Sequence, residues 1–377
     1  MQWQPSEEQT QLADALQRFM QRDDGFERRR AVAAAGGFSA EVWAILTQIG
    51  IPALLVPQAQ GGLGASVLDG LYALQALAPA LPLEPVCASA LLATQLLAGC
   101  SHSVEAQTWL ARLAEGRSIA TAAVFEPDAG FAMAQPQTRA ERTADGWRLH
   151  GIKALALQAQ FADVLLVSAQ TPQDRLAWFA VPARTPGLGL RGYTLFDGQR
   201  AADVLLEGVA LAAPARIDLP GQGPALAEDL RALWLAALCM EAVGLQQATL
   251  DATVAYLKTR QQFGQPIGRF QVLQHRVADM GMELEQARSM ALLAANICTA
   301  RDDPQRMPLL AACKARVGQA CRFISQQAVQ LHGGMGMTDA MQVSHWFKRL
   351  TVIELWLGDS DAHLQQVADA GALHATA

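Results

Sequence analysis

Charge is what this sequence has least of. Asp, Glu, Lys and Arg make up 17% of its 377 residues, against about 25% in an average soluble domain. Hydrophobic residues make up 51%. A monomer of this size normally carries more polar surface. The shortage therefore predicts surface buried in an oligomer, with an alanine-rich composition as the other reading. A basic excess is also missing. The net charge is −6 and the pI near 5.7, which excludes the electrostatic footprint of a nucleic-acid-binding protein. No run of about 18 uncharged apolar residues reads as a membrane span. The apolar stretch from Leu71 to Val86 is interrupted by Gln75, Pro79, Pro82 and Glu84. The first residues, MQWQPSEEQTQ, are neither basic nor apolar, which predicts no secretory leader. The six cysteines (Cys87, Cys100, Cys239, Cys298, Cys313 and Cys321) form no CxxC and no Cys/His metal spacing. Buried thiols in a reducing cytoplasm, and no metal site, are the expectation.

Three zones follow in the pattern of residues. Residues 1–117 read as helices. Apolar periodicity runs through Leu12, Leu16 and Met20, and Ser39 and Gly50 bracket a second helix as cap and stop. Pro57 and Gly61, Gly62 and Gly64 mark a loop, and helices are expected near 66–80, 86–99 and 103–115. Residues 118–216 change to short β-prone runs. These are Ile119–Val124, Trp147–Leu157, Val164–Ser168, Leu176–Val181, Leu188–Leu195 and Val204–Val209, and Asp145-Gly146 signals a hairpin. Such runs predict a small antiparallel barrel or sandwich. Residues 224–377 return to long apolar helices, near 227–259, 269–300, 307–331, 339–355 and 359–370, which favour a helical bundle.

Two motifs carry chemistry. The first runs from Arg260 through Gln262, Phe263, Gly264, Pro266 and Phe270 to Gln274, between two long helices. Gly264 and Pro266 break the chain there. Arg260 is left at one helix end and unbonded N–H groups at the next helix start, a place suited to phosphate. An ordinary helix–turn–helix with a surface arginine is the plain alternative. The second motif is Gln330, His332, Gly333, Gly334 and Gly336. Its glycines allow close approach of a ligand or another backbone, or form a helix C-cap.

Together, with the β zone upstream, these motifs resemble the acyl-CoA dehydrogenase family over nearly the whole chain. Glu126, Pro127 and Gly130 resemble its Thr-Glu-Pro-x-x-Gly-Ser signature. The stretches Gly50–Gly64, Gly151–Asp163 and Asp203–Val209 resemble flanking family segments. Within the family the likeness is greatest to the small subunits of pimeloyl-CoA dehydrogenases, through Ala328–Met337 and Phe347–Thr351. The resemblance implies an α+β fold: an N-terminal α-helical domain, a middle antiparallel β-barrel domain, and a C-terminal four-helix bundle that tetramerises. It implies FAD as cofactor and an acyl-CoA thioester as substrate. A carboxylate removes the α-proton and the β-hydride passes to flavin. Arg260, Gln262, Phe263, Phe270, Gln274, Gln330, Gly333 and Gly334 are then the cofactor-binding candidates.

The sequence departs from the family at the chemistry. The usual glutamate base falls on Leu357, and the alternative base position falls on Trp234. A neighbouring arginine falls on Leu235. The flavin-side threonine and serine fall on Phe125 and Phe131, a tryptophan and a threonine on Ala154 and Ala156, and another threonine on Asp359. The residues that serve a neighbouring subunit's FAD are kept. The expectation is a subunit that completes the FAD site of a larger paralogue in a homo- or hetero-oligomeric tetramer, with no role for nucleic acid or membrane. The catalytic residue is left unassigned. Glu241, Glu354, Asp359 and Asp361 stand as carboxylates for a displaced base, with Glu241 equally an ion-pair residue and Asp359 equally a helix cap. A self-sufficient flavoenzyme and a non-enzymatic scaffold are the competing functions.

Overall fold

The computed structural model describes residues 4–20 and 25–371. The chain divides into two compact units. One unit contains the N-terminal residues as far as Arg29, Leu71–Leu81, and the chain from Ala232 onward; the other contains Arg30–Gly70 and Pro82–Arg231.

The second unit begins with helices. In α3 (Ala40–Ile49) the Ser39 hydroxyl accepts from the Val42 N–H, and Gly50 closes the helix at φ 99°. Both ends are therefore set by residues legible in the sequence. An earlier helix, α2 (Gly25–Ala34), enters this unit at Arg30 and follows α1 (Glu7–Met20) of the first unit. It has no periodic apolar face and escapes detection by pattern. Helix α4 (Val67–Leu77) follows, its residues from Leu71 onward belonging to the first unit. The helix expected over 86–99 is π-wound at Val86–Ala93 before regular α5 (Thr94–Gly99). There the Thr94 hydroxyl donates to the Ser89 carbonyl five residues back, and the Ser89 hydroxyl accepts from the Ala120 N–H. Helix α6 (Val104–Ala114) ends the helical part.

Seven strands follow: β1 (Ala120–Ala123), β2 (Arg139–Arg142), β3 (Gly146–Leu157), β4 (Val164–Ala169), β5 (Ala177–Pro182), β6 (Leu188–Thr194) and β7 (Arg200–Ala212). They form two sheets, ordered β1-β4-β5 and β2-β3-β7-β6. The Asp145-Gly146 signal marks the β2–β3 hairpin, with Arg142 opposite Trp147. One ladder departs from the antiparallel expectation, because β1 and β4 run parallel. The long connection through β2 and β3 makes that crossover possible. The inner faces bury Trp147, Leu149, Phe179, Val181, Val204 and Val209. Glu126 lies beneath them, its carboxylate taking the Lys153 Nζ at 2.7 Å and the Thr138 hydroxyl at 2.6 Å. The glutamate of the family-like signature is thus a buried anchor of its loop.

The first unit is built on α7 (Gly223–Thr259), α8 (Gln271–Ile297), α9 (Arg306–His332), α10 (Gln342–Leu355) and α11 (Ser360–Asp369). Helix α7 is long and apolar enough to cross a membrane by composition. However, 83% of its most apolar window is buried inside the protein, as in a core helix. Helix α9 buries Leu310, Cys313, Val317, Cys321, Ile324 and Ala328 at helical spacing. Polar contacts tie the bundle. Gln246 donates to the Val317 carbonyl, Arg316 pairs with Glu283 at 2.7 Å, and the fully buried Lys314 donates to the Glu354 and Gly358 carbonyls.

Candidate active site and flavin half-sites

Helix α10 ends at a turn that presents Trp356 and Leu357. Leu357 has φ 63°, a left-handed conformation that costs a non-glycine residue about 1–3 kcal/mol. The Lys314 ammonium holds it there by bonding the carbonyls on either side, at 2.9 Å and 3.1 Å. Burial lowers the pKa of Lys314. No sequence motif marks this lysine; the signal is a charge on an otherwise apolar helix face. The turn therefore aims its side chain by strain, yet that side chain is Leu357, buried at 1% exposure. Trp234 on α7 and Trp356 are also buried, and their rings meet at 6.0 Å. Both positions where the family resemblance calls for a base are closed by apolar side chains.

The carboxylates offered as substitutes are engaged elsewhere. Glu241 is held by both Arg349 nitrogens, at 2.7 Å and 2.6 Å, in a buried pair. Glu354 takes Arg322 at 2.6 Å and the Ser360 hydroxyl at 3.2 Å. Asp359 caps α11 through the Ala362 N–H at 2.8 Å, and Asp361 lies exposed in the first turn of that helix. For Glu241 and Asp359 the ion-pair and capping readings are the ones observed.

The β unit likewise carries apolar side chains at the positions that the resemblance assigns to flavin contacts. Phe125 is buried, and Phe131 meets it edge-on at 5.3 Å. Strand β3 carries a register shift between Lys153 and Ala156, an irregularity of the kind that re-aims side chains beside active sites. Here it offers only Ala154 and Ala156, and the Ala154 N–H is already bonded to the Phe125 carbonyl. This face lacks the hydroxyls and ring that would grip a flavin.

The Arg260 motif is built differently. Helix α7 ends at Thr259, and two-residue strands β8 (Gln261–Gln262) and β9 (Gln265–Pro266) pair across a tight turn. Phe263 and Gly264 sit at φ 53° and 76°, the signature of a mirror-image type I turn. That turn holds Phe263 out at 88% exposure, with Phe270 edge-on to it at 5.9 Å. Arg260, Gln262 and Gln274 are exposed, and Phe270 is half-buried. Gln274 donates to the Gly268 carbonyl. Helix α8 starts after Phe270 with no side-chain cap, so its first N–H groups keep their positive field.

The glycine motif follows α9. Gly333 has φ 62°, and a Cβ at Gly333 or Gly334 would meet nothing within 4 Å. Gln330 is exposed. Gly336 differs, since a Cβ there would lie 2.9 Å from the Val329 carbonyl, making it a packing glycine. His332 is buried, stacks on Tyr256 at 4.4 Å, and bonds the Ala328 carbonyl through Nδ1. It is a packing histidine. Tyr256 lies one turn before Arg260, so the stack joins the stems of both motifs; sequence reading passed over Tyr256.

These exposed residues suit FAD. A guanidinium, glutamine amides and bare glycine backbone match a pyrophosphate, and an exposed phenyl ring matches an aromatic edge. They are offered outward, whereas the positions that the resemblance assigns to the chain's own flavin carry Phe125, Phe131, Ala154 and Ala156.

The acyl-CoA dehydrogenase N-terminal domain family matches residues 6–117, the middle domain family residues 121–205, and the C-terminal domain family residues 235–372. The probable acyl-CoA dehydrogenase YngJ of Bacillus subtilis (strain 168) is 29% identical over 340 residues, 86% of this chain and 88% of that one. The mitochondrial short-chain specific acyl-CoA dehydrogenase of Mus musculus is 28% identical over 336 residues, 86% of this chain and 80% of that one. A variant of the Tcur3481–Tcur3483 steroid ACAD superposes with TM-score 0.85 at 27% identity, covering 98% and 99% of the two chains. The ChsE4–ChsE5 complex from Mycobacterium tuberculosis shares the fold at TM-score 0.87 and 23% identity, over the whole of both chains. The chain belongs to the acyl-CoA dehydrogenase family, flavoprotein oxidoreductases that act on CH–CH bonds.

Proposed function

We propose that this chain is a subunit of a two-component acyl-CoA dehydrogenase. It completes the FAD site of a larger paralogous subunit that carries the intact glutamate. The observation that carries this reading is the split between the two half-sites. Arg260, Phe263, Gln330, Gly333 and Gly334 are exposed and poised for a ligand, whereas Trp234, Trp356, Leu357 and Phe125 are buried where chemistry would occur. Bound FAD supplies hydride acceptance. Arg260 would neutralise its phosphate charge, the Gly333–Gly334 backbone would let the pyrophosphate approach, and Phe263 would cover an aromatic edge.

Exposed Val272 and Met282 on α8, with Met335 and Met337 beside the glycines, support a covered face in the assembly. The similar Tcur3481–Tcur3483 steroid ACAD bears a paired name, which fits a hetero-oligomer. The likeness to small subunits of pimeloyl-CoA dehydrogenases favours a dicarboxyl-CoA as the assembly's substrate. A tetramer in the cytoplasm completes the proposal. A self-sufficient enzyme with a displaced base finds little support, because Glu241, Glu354 and Asp359 are already committed to structure.

The test is co-expression with the larger paralogue, followed by assay on straight-chain, dicarboxylic and steroid side-chain acyl-CoAs. Oxidation by the two-chain assembly and none by the pure chain is expected. Turnover by the pure chain would overturn the reading.

A further inference from the structure

Helix α2 is tied down by one residue. Arg29 is the single buried side chain of α2, at 8% exposure. Its Nε donates to the Leu81 carbonyl at 2.9 Å, and its Nη1 meets the Nδ1 of His345 on α10 at 3.1 Å. Leu81 stands beyond α4 at φ 51°, so one guanidinium joins α2 to a left-handed turn and to α10. The packing beneath these N-terminal helices is sparse. Along α1 only Gln9, Leu16 and Met20 are buried. Gln9, Ala13, Gln17 and Met20 line a cavity of about 780 Å³, which Phe26 and Trp346 also border. The helices thus rest partly on empty space, and their attachment leans on a few polar ties.

The partners of His345 fix its protonation state. A guanidinium has N–H donors and no acceptor, so the Nδ1 that meets Arg29 presents its lone pair. Nε2 lies 3.1 Å from the Asp339 carbonyl. A carbonyl only accepts, so Nε2 carries the proton. The ring is therefore neutral, with both nitrogens engaged. A second proton has to enter at Nδ1, where it removes the acceptor of Arg29 and sets two cations against each other. The charged groups that face the ring are Arg29 from α2, Lys348 one turn along α10, and Asp339 from the turn before it. The Asp339 carboxylate is taken by Lys348 at 2.7 Å, so it shelters a second positive charge poorly. Phe26 meets the ring edge-on at 5.0 Å. Burial, then the two cations, hold the His345 pKa below 6.5, with the Asp339 carbonyl and carboxylate opposing. The ring is half-buried, so solvent protons reach it.

We propose that His345 is a proton-operated latch for the N-terminal helices: protonation at Nδ1 expels the Arg29 guanidinium, and α1 and the start of α2 loosen from α10. The latch shares no residue with either flavin half-site. Its sign follows from the direction of the shift. The neutral ring holds the helices, fully so above about pH 6.5, and the hold is lost as pH falls through the lower folded value.

Hydrogen–deuterium exchange of the full chain at about pH 7.5 and about pH 5 tests this, with rates corrected for the intrinsic effect of pH. Amide protection in α1 and in the first turn of α2 should fall about ten-fold at the acid pH, while β4 and β5 keep theirs. His345→Gln, whose amide oxygen accepts from Arg29 and whose amide N–H donates to Asp339 without titrating, should show no such pH response. Arg29→Met should leave α1 and α2 weakly protected at both pH values. Unchanged protection in the natural chain, or an equal acid loss in folded His345→Gln, would overturn the proposal. So would an NMR spectrum that places the neutral ring's proton on Nδ1. If Arg29→Met fails to fold, the comparison of the natural chain with His345→Gln still decides it.

Discussion

The indole of Trp234 lies against that of Trp356, with ring centroids 6.0 Å apart and planes tilted by 44°. By the family resemblance, Trp234 stands at one position for a catalytic base, and Trp356 immediately precedes the other, Leu357. Restoring a carboxylate alone should therefore not restore chemistry. Leu357→Glu in the pure chain, supplied with excess FAD, should show no flavin bleaching with any acyl-CoA under anaerobic conditions. It should also melt earlier, because a carboxylate at a site 1% exposed has no partner to offset its desolvation. Bleaching by this variant would mean that the substrate cavity is open.

Glu241 and Arg349 form a buried two-point pair. Neutralising the carboxylate takes the two-point pairing away from a buried guanidinium, so Glu241→Gln should cost about 3–5 kcal/mol in urea unfolding. The double change Glu241→Leu with Arg349→Met should recover most of that loss. The assembled double variant should keep its turnover, since Glu241 is a structural residue. A turnover collapse in a well-folded double variant would return Glu241 to the list of bases.

His332 predicts a pH dependence. Its pKa is lowered from 6.5, chiefly by burial, with the Ala328 bond opposing. The folded state thus binds fewer protons than the unfolded state just below that value. The stability it contributes is complete above about pH 6.5 and falls as pH drops through the folded pKa. Because the Tyr256–His332 stack joins the stems of the two proposed flavin-binding motifs, FAD retention in the complex should weaken over the same window. His332→Phe should flatten both profiles. A native NMR titration near 6.5 would contradict the assignment.

Arg260 is exposed, and its backbone bonds Tyr256 and Ile267 independently of the guanidinium. Arg260→Ala should leave the melting temperature of the isolated chain unchanged and sharply reduce FAD per assembled complex, by gel filtration and absorbance. Unchanged flavin content would remove Arg260 from the phosphate site.

Much of this was readable in the residues. Ser39 and Gly50 marked both ends of α3, and Asp145-Gly146 marked the β2–β3 hairpin, because caps and turns are local chemistry. Leu357 and Trp234, at the two positions where the family resemblance calls for a base, were visible in the motifs. Other features depended on distant partners. The parallel β1–β4 ladder joins segments far apart in sequence, and α2 has no apolar stripe to reveal it. Lys314 showed no motif, although its bonds to the Glu354 and Gly358 carbonyls fix the turn. The low share of charge pointed to a covered surface, and Phe263, Val272 and Met282 are the exposed apolar side chains that the proposed assembly would cover.

The most direct test of the shared-site account is the flavin count. The chain should be purified alone, then purified with its larger paralogue, and FAD measured against each polypeptide. The account predicts essentially no FAD on the chain alone and one FAD per pair of unlike subunits. One FAD per copy of this chain, in either preparation, would contradict it.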